Sequence, residues 1–554
     1  MKRFFVFAFA AFALLAYNST MAQISHGGEP YFNSSNSKFK TALHEMPPIN
    51  NEKYLQEDMK QTKGAGPMRI GVMQDCEIDL VKSATCIKDA EGSHYLLAIS
   101  SPNASFISLH FSTFNISNGS QLFFYDQSGD VVLGSFIDSD VLEDGTFYTQ
   151  SIPGNVIYVE YNVPQGIEAG RLVIDKVSHG YKDIFAIISR TYEDAEWSMK
   201  GQLGSAEGNC HIDVECPEGD DWRDQIRSVV ALELNDGMYI YMCSGAVINN
   251  ARQDHTPYVL SAYHCQELDN GLHGVTTYFH YQARTCNGST GFPTNKSITG
   301  ATIKAKYSYQ SGSDFLLLRL SGNIPDNYEP YYSGWDRTVA NSTSVGACIH
   351  HPGGDWKKIS FPSSVQVGTG SYKRFLIVNW YTGSNNKGVT EQGSSGSPLY
   401  NADKRIVGQL YAGQSACDFM GGADFYGRVF YSWSGNNNDD GSLRPWLDPD
   451  DTGISTIDGL NYNETVGIDT PEETSERMLK VYPNPSDGMV RFDVDALGMA
   501  SYKVYDLNGR CVLEGNTVLT ATSQAVNLTS LSSGVYLLQL HTTSRNYSAT
   551  VVIK

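Results

Sequence analysis

A chain of 554 residues is too long for one hydrophobic core, and its length alone predicts roughly three or four domains. At 41% hydrophobic and 18% charged residues the composition is that of ordinary globular protein and excludes collagen-like or coiled-coil arrays, while 52 glycines and 33 tyrosines favour short strands joined by turns. The formal net charge of -20 argues against a nucleic-acid partner, because phosphate binding needs a basic surface.

Lys2 and Arg3 precede an apolar run over residues 4–16, and Thr20-Met21-Ala22 gives a small-x-small pattern before Gln23, the layout of a secretory signal peptide over 1–22. The run is short for a bilayer span and no later segment reaches that length, so no integral membrane span is expected. Export makes the 10 cysteines readable as disulfides. Residues 23 to about 65 are polar and turn-rich and read as poorly structured. From about 68 to 185 short alternating strands, such as 106–111 and 121–126, predict a small β-sandwich without a catalytic constellation. Residues 201 to about 460 again read as strands, with turn signals such as Asn235-Asp236-Gly237, and have the size of two packed antiparallel barrels. A linker rich in Asn, Thr and Glu over 462–477 precedes a last strand-patterned segment, 478–554, long enough for a second small β-sandwich. The expected fold class is all-β throughout.

Three local motifs of the middle segment carry chemistry. Leu260-Ser261-Ala262-Tyr263-His264-Cys265 is a β-like run ending in a His, Ser313-Asp314-Phe315 opens an apolar strand with an Asp, and Gly393-Ser394-Ser395-Gly396-Ser397-Pro398 holds a Ser in a glycine-bearing tight loop. His, Asp, Ser is the triad order of the chymotrypsin architecture. A serine hydroxyl is a weak nucleophile, so His264 is assigned to take its proton and later return it to the leaving amine, with Asp314 fixing the imidazole tautomer. Gly393 and Gly396 let the backbone turn sharply, and the amides of Gly393 and Ser395 are assigned to the developing oxyanion.

These residues resemble the bacterial lysyl endopeptidases, a branch of the chymotrypsin superfamily, over about 205 to 460. Cys210-His211-Ile212-Asp213-Val214-Glu215-Cys216, Ser333-Gly334-Trp335-Asp336-Arg337, Gly388-Val389-Thr390-Glu391 and Trp446-Leu447-Asp448-Pro449 add to the match. The resemblance implies a chymotrypsin-like double β-barrel over 201–461 and disulfides joining Cys210 with Cys417, Cys216 with Cys286, and Cys243 with Cys265, leaving Cys348 a buried thiol. It also implies cleavage after lysine by a monomeric enzyme acting on protein or peptide substrates, without cofactor or metal. Trypsins carry their pocket Asp six residues before the nucleophile, where this chain has Val389; Asp424 matches the family's pocket aspartate instead, and Trp380 its cleft tryptophan. The family's histidine after the Gly-Gln-Leu strand is Tyr411 here, which opens a broader Lys/Arg specificity. The residue before the nucleophile is Ser394 where trypsin has Asp, so a freed N-terminal ammonium has no partner there. Residues 23–200 are expected to be a propeptide, with Lys200-Gly201 as a self-cleavage site.

Val481-Tyr482-Pro483-Asn484-Pro485 and Ser533-Gly534-Val535-Tyr536 resemble the C-terminal sorting domain of the type IX secretion system, which implies that machinery as a partner and a secreted or cell-surface location. His350-His351 is set aside as a metal site because strand neighbours point to opposite faces, and 436–441 lacks the spacing of a calcium loop. Besides Lys/Arg specificity, the remaining rival is a catalytically inactive protease fold used for surface binding.

Overall fold

The computed structural model describes residues 26–34, 41–60, 67–140, 145–184, 210–267, 274–288, 291, 296–338, 343–383, 387–464, 477–478, 481–492, 498–506, 510–519, 525–541 and 546–554. The signal peptide over 1–22 and the Lys200-Gly201 site lie outside them. The chain divides into two compact units, Met1–Thr465 and Val466–Lys554.

In the first unit, two barrel-shaped sheets surround the middle of the chain. One is built from Val229–Asn235, Tyr239–Val247, Tyr258–Ala262, Phe315–Leu320 and Ala301–Tyr307, with Gly274–Tyr278 on the other side of Val229–Asn235. Val229–Asn235 is buried at every position, its polar Glu233 and Asn235 included. Its core holds Leu232, Val259, Leu316 and Leu318. The other sheet runs Cys348–His350, Pro398–Tyr400, Ile406–Gly413, Asp424–Arg428, Phe375–Trp380 and Pro362–Val367 around Leu376, Val378, Leu399 and Tyr426. A third buried cluster, with Leu260 and Phe315 from the first sheet and Ile349 and Ile406 from the second, joins the two.

The N-terminal strands form the expected β layers and extend beyond them. A six-stranded sheet, including Gly92–Ser100 and Val156–Pro164, does cover an aromatic core of Phe111, Phe124 and Phe147. The opposing strand Met68–Asp79, however, pairs with Leu172–Gly180 on one edge and with Tyr239–Val247 on the other. One sheet therefore runs from the N-terminal strands into the first barrel.

A departure from expectation lies in the stretch read as poorly structured. It contains the helix Asn51–Met59, whose N-cap Asn50 accepts the Lys53 N–H. This helix has no buried residue, and Asp58 ties it down by ion pairs to Arg69 and Lys182, both at 2.7 Å. Polarity signals missing apolar anchorage but not the absence of charged anchorage.

The second unit is a five-stranded and a three-stranded sheet around Val490, Val504, Leu538 and Val551. Among the described residues no helix is long and apolar enough to cross a membrane.

Candidate active site

The buried strand Tyr258–Ala262 ends in a single tight turn, Tyr263–Cys265, that carries His264. Its neighbour Phe315–Leu320 pairs with it so that Ala262 faces Phe315, and this register brings the residues just beyond, His264 and Asp314, together. The Tyr263 N–H donates to the Asp314 carbonyl at 2.9 Å, and Asp314 holds a left-handed φ of 60°, an uncommon conformation that concentrates at functional sites. Its carboxylate accepts His264 Nδ1–H at 2.7 Å on Oδ2 and the His264 backbone N–H at 3.1 Å on Oδ1. Burial pushes the Asp314 carboxyl up, against the pull of the imidazole and these two hydrogen bonds.

Ser395 sits between Gly393, φ 88°, and Gly396, φ 81°. A Cβ on Gly396 would lie 2.1 Å from Ser261 Oγ and 2.5 Å from the Ser244 carbonyl, so only glycine fits. The Ser244 N–H donates to the Ser395 carbonyl at 2.8 Å, and that carbonyl is 3.8 Å from the Cys265 sulfur, beside His264. His264 Nε2 is buried and has no hydrogen-bond partner among the described residues, so the Ser395 hydroxyl is not yet bonded to it. In unliganded sites such bonds commonly tighten only when substrate binds.

Asp424 opens the strand Asp424–Arg428 and is wholly buried. Trp380 Nε1 (2.7 Å), Thr390 Oγ1 (2.6 Å) and Ser415 Oγ (2.6 Å) all donate to its Oδ2, and the Ser415 N–H donates to Oδ1 at 3.2 Å. Burial raises its carboxyl above the usual range despite these donors. Trp380, expected along the cleft, thus bonds the Asp424 carboxylate itself. Val389, where trypsin has its Asp, is buried and apolar. Tyr411 presents its ring at 72° to His264 with centroids 6.2 Å apart, and stacks on Tyr309 at 5.1 Å and Phe375 at 5.0 Å.

The structure joins Cys210–Cys417, Cys216–Cys286 and Cys243–Cys265, the pairs the resemblance implies, and leaves Cys348 free and buried. Cys210, His211 and Cys417 are close enough to suggest a metal trio, but the disulfide removes both thiolates.

Sequence reasoning missed three residues here. Thr390 stood inside a quoted motif and Ser415 two residues before Cys417, yet neither motif signals a bond to Asp424. His350 is the third: its Nδ1 bonds Ser394 Oγ at 2.7 Å and its Nε2 bonds Ser360 Oγ at 2.9 Å, while His351 turns to the Asp355 carbonyl. Ser394, where trypsin places a charged switch residue, is held by this neutral histidine, whose proton affinity burial pushes well down.

Two barrel-shaped sheets with this His–Asp pair and glycine-flanked serine define a chymotrypsin-like serine protease fold. Comparison with known proteins is more specific. Residues 204–427 match the family model for the lysyl endopeptidase C-terminal domain, and residues 480–554 match that for a secretion system C-terminal sorting domain. The middle of the chain is thus similar to a lysyl endopeptidase C-terminal domain, and its last stretch to a secretion system sorting domain of the kind found on secreted or cell-surface proteins. It is 28% identical over 302 residues to a lysyl endopeptidase of Pseudomonas aeruginosa strain PAO1, an alignment covering 50% of this chain and 59% of that relative's length. Among solved structures, the thermostable serine protease AL20 from an extremophilic microorganism aligns at 11% identity and a TM-score of 0.29, over 39% of this chain and 100% of its own. The protease Anisep from Arthrobacter nicotinovorans aligns at 13% and 0.28, over 37% and 91%.

Proposed function

We propose that this protein is an exported serine endopeptidase that cleaves on the carboxyl side of lysine. Ser395 Oγ attacks the scissile carbonyl while His264 Nε2 takes its proton, and the Gly393 and Ser395 amides stabilise the oxyanion. His264 then protonates the leaving amine, and water enters by the same route to release the acyl group. Asp314 keeps Nδ1 protonated, so Nε2 is the basic nitrogen throughout.

The observation that carries the lysine reading is the donor count at Asp424. A carboxylate offers about four acceptor sites. Three donors already crowd Oδ2, more than its two lone pairs, and one engages Oδ1, so a single site on Oδ1 is left. An ammonium needs a single remaining site, whereas a guanidinium fork seeks two parallel ones. The broader Lys/Arg reading is favoured by Tyr411, and the inactive-fold reading is opposed by the His264–Asp314 bond.

In this account residues 1–22 direct export, 23–200 form a propeptide, 201–461 the protease, 462–477 a linker and 478–554 the sorting domain. The test is to label the purified protein with a fluorophosphonate and map the adduct by mass spectrometry. A single adduct on Ser395, lost in Asp314→Asn, supports the proposal, and no adduct on Ser395 sinks it.

A further inference from the structure

The strand Met68–Asp79 does more than border the first barrel. Tyr239 faces Val72, Ile240 faces Gly71 and Met242 faces Met68 in an antiparallel ladder, and the Met73 N–H donates to the Met238 carbonyl at 2.7 Å. Under this ladder, Met68, Ile70, Phe106 and Ile184 share one buried cluster with Met242, Tyr281 and Trp356 of the middle segment. A buried polar chain accompanies it: the Ser151 N–H donates to Tyr278 Oη at 3.0 Å, and that hydroxyl donates to Glu233 Oε2 at 2.8 Å.

The cluster touches the candidate site from one side. Gly354, at φ 68°, is so close to Met68 that a Cβ would lie 2.6 Å from Met68 Cε and 3.5 Å from Ile184 Cγ2. Tyr281 Oη bonds the Ile184 carbonyl and lies 3.3 Å from the Gly354 carbonyl. On the other side of the same turn, the Gly353 N–H donates to the Gln392 carbonyl at 2.6 Å, and a Cβ on Gly393 would lie 2.8 Å from the Gly354 nitrogen. The turn Pro352–Gly354 is therefore packed between the N-terminal cluster and the loop that carries the oxyanion donors.

We infer that the N-terminal segment 26–184 remains bound to the barrels after the chain is cut between residues 184 and 210, as a noncovalent subunit whose Met68 and Ile184 hold the turn Pro352–Gly354, and through it Gly393, in place. Its loss would strip a strand edge and uncover Met242, Tyr281 and Trp356 together, an exposed apolar patch beside an unpaired ladder. Residues 68–184 are thus a positioning element for the oxyanion site, a role that rests on the serine endopeptidase reading; the docking itself does not.

Two measurements separate the parts. In full-length Ser395→Ala protein, a recognition sequence for an unrelated endoprotease is inserted between Lys200 and Gly201, the chain is nicked, and the product is run on size exclusion in native buffer. The two fragments are expected in one peak, and separate peaks overturn the docking. In the active chain, Tyr281→Phe removes the hydroxyl between Ile184 and Gly354, and is expected to lower kcat on a lysyl peptide about tenfold with KM unchanged. Unchanged kcat overturns the positioning role. Should that variant not fold, Met68→Ala reads the same split. A wild-type chain without Ser395-dependent cleavage would sink the enzyme reading and leave the docking result standing.

Discussion

One carboxylate, that of Asp314, holds His264 at two points: Oδ2 is 2.7 Å from the ring Nδ1 and Oδ1 accepts the backbone N–H at 3.1 Å. Ring orientation and chain position are thereby set by the same buried group. Replacing it with Asn keeps the shape but presents an amide that can turn an N–H toward Nδ1 and select the wrong tautomer. Asp314→Asn is expected to lower kcat by about 10³ to 10⁴-fold with little change in KM, as read from steady-state kinetics on a lysyl peptide.

Asp424 should govern which substrates bind and not how fast the bond breaks. Asp424→Asn leaves the incoming ammonium in a buried pocket without its counter-charge, a loss of about 3 to 5 kcal/mol. The expected outcome is a fall of about 10² to 10⁴-fold in kcat/KM for lysyl peptides, with the rate of Ser395 labelling by a small uncharged fluorophosphonate within about threefold of wild type. A labelling rate that fell in parallel would place Asp424 in the chemistry itself.

The glycine after Ser395 is required by space and by φ together. A Cβ at Gly396 meets the Ser244 carbonyl at 2.5 Å, which is backbone and cannot swing away. Gly396→Ala is expected to destabilise the fold by about 3 kcal/mol or more and to abolish activity, measured by denaturant unfolding and by peptide cleavage.

Glu233 makes the N-terminal interface sensitive to pH. Burial raises its carboxyl to about 7, against the hydrogen bond that Tyr278 donates to it. Where burial holds the proton on in the docked state and solvent exposure releases it, docking binds more protons between the ordinary glutamate range and about pH 7. Association therefore weakens as pH rises through that window and levels off above it, by about 10²-fold in all. The dissociation constant of the nicked fragments, measured from pH 5 to pH 8.5, should show this rise, and Glu233→Gln should flatten it.

How much of this was legible in the sequence follows from how local each signal is. His264, Asp314 and Ser395 each sit in a short motif whose residue types answer to a chemical task, so their order could be read directly. Asp424 carries no such local mark, and only the resemblance pointed to it. Its donors Thr390 and Ser415 belong to separate loops that meet only when the second sheet closes. The pairing of Met68–Asp79 with Tyr239–Val247 was invisible for the same reason: alternation shows that a strand has a buried face, not which distant edge it completes. The helix Asn51–Met59 was missed because ion pairs of Asp58, and not an apolar stripe, hold it.

The central claim is lysine-directed, serine-dependent proteolysis, and the most direct measurement compares the processed protein with its Ser395→Ala variant on three peptides that differ only in Lys, Arg or Glu before the scissile bond. The account predicts cleavage of the Lys peptide at least about tenfold faster than the Arg peptide, none of the Glu peptide, and none of any by the variant. Equal Lys and Arg rates would contradict the lysine assignment at Asp424, and cleavage that survives the loss of Ser395 would contradict the mechanism.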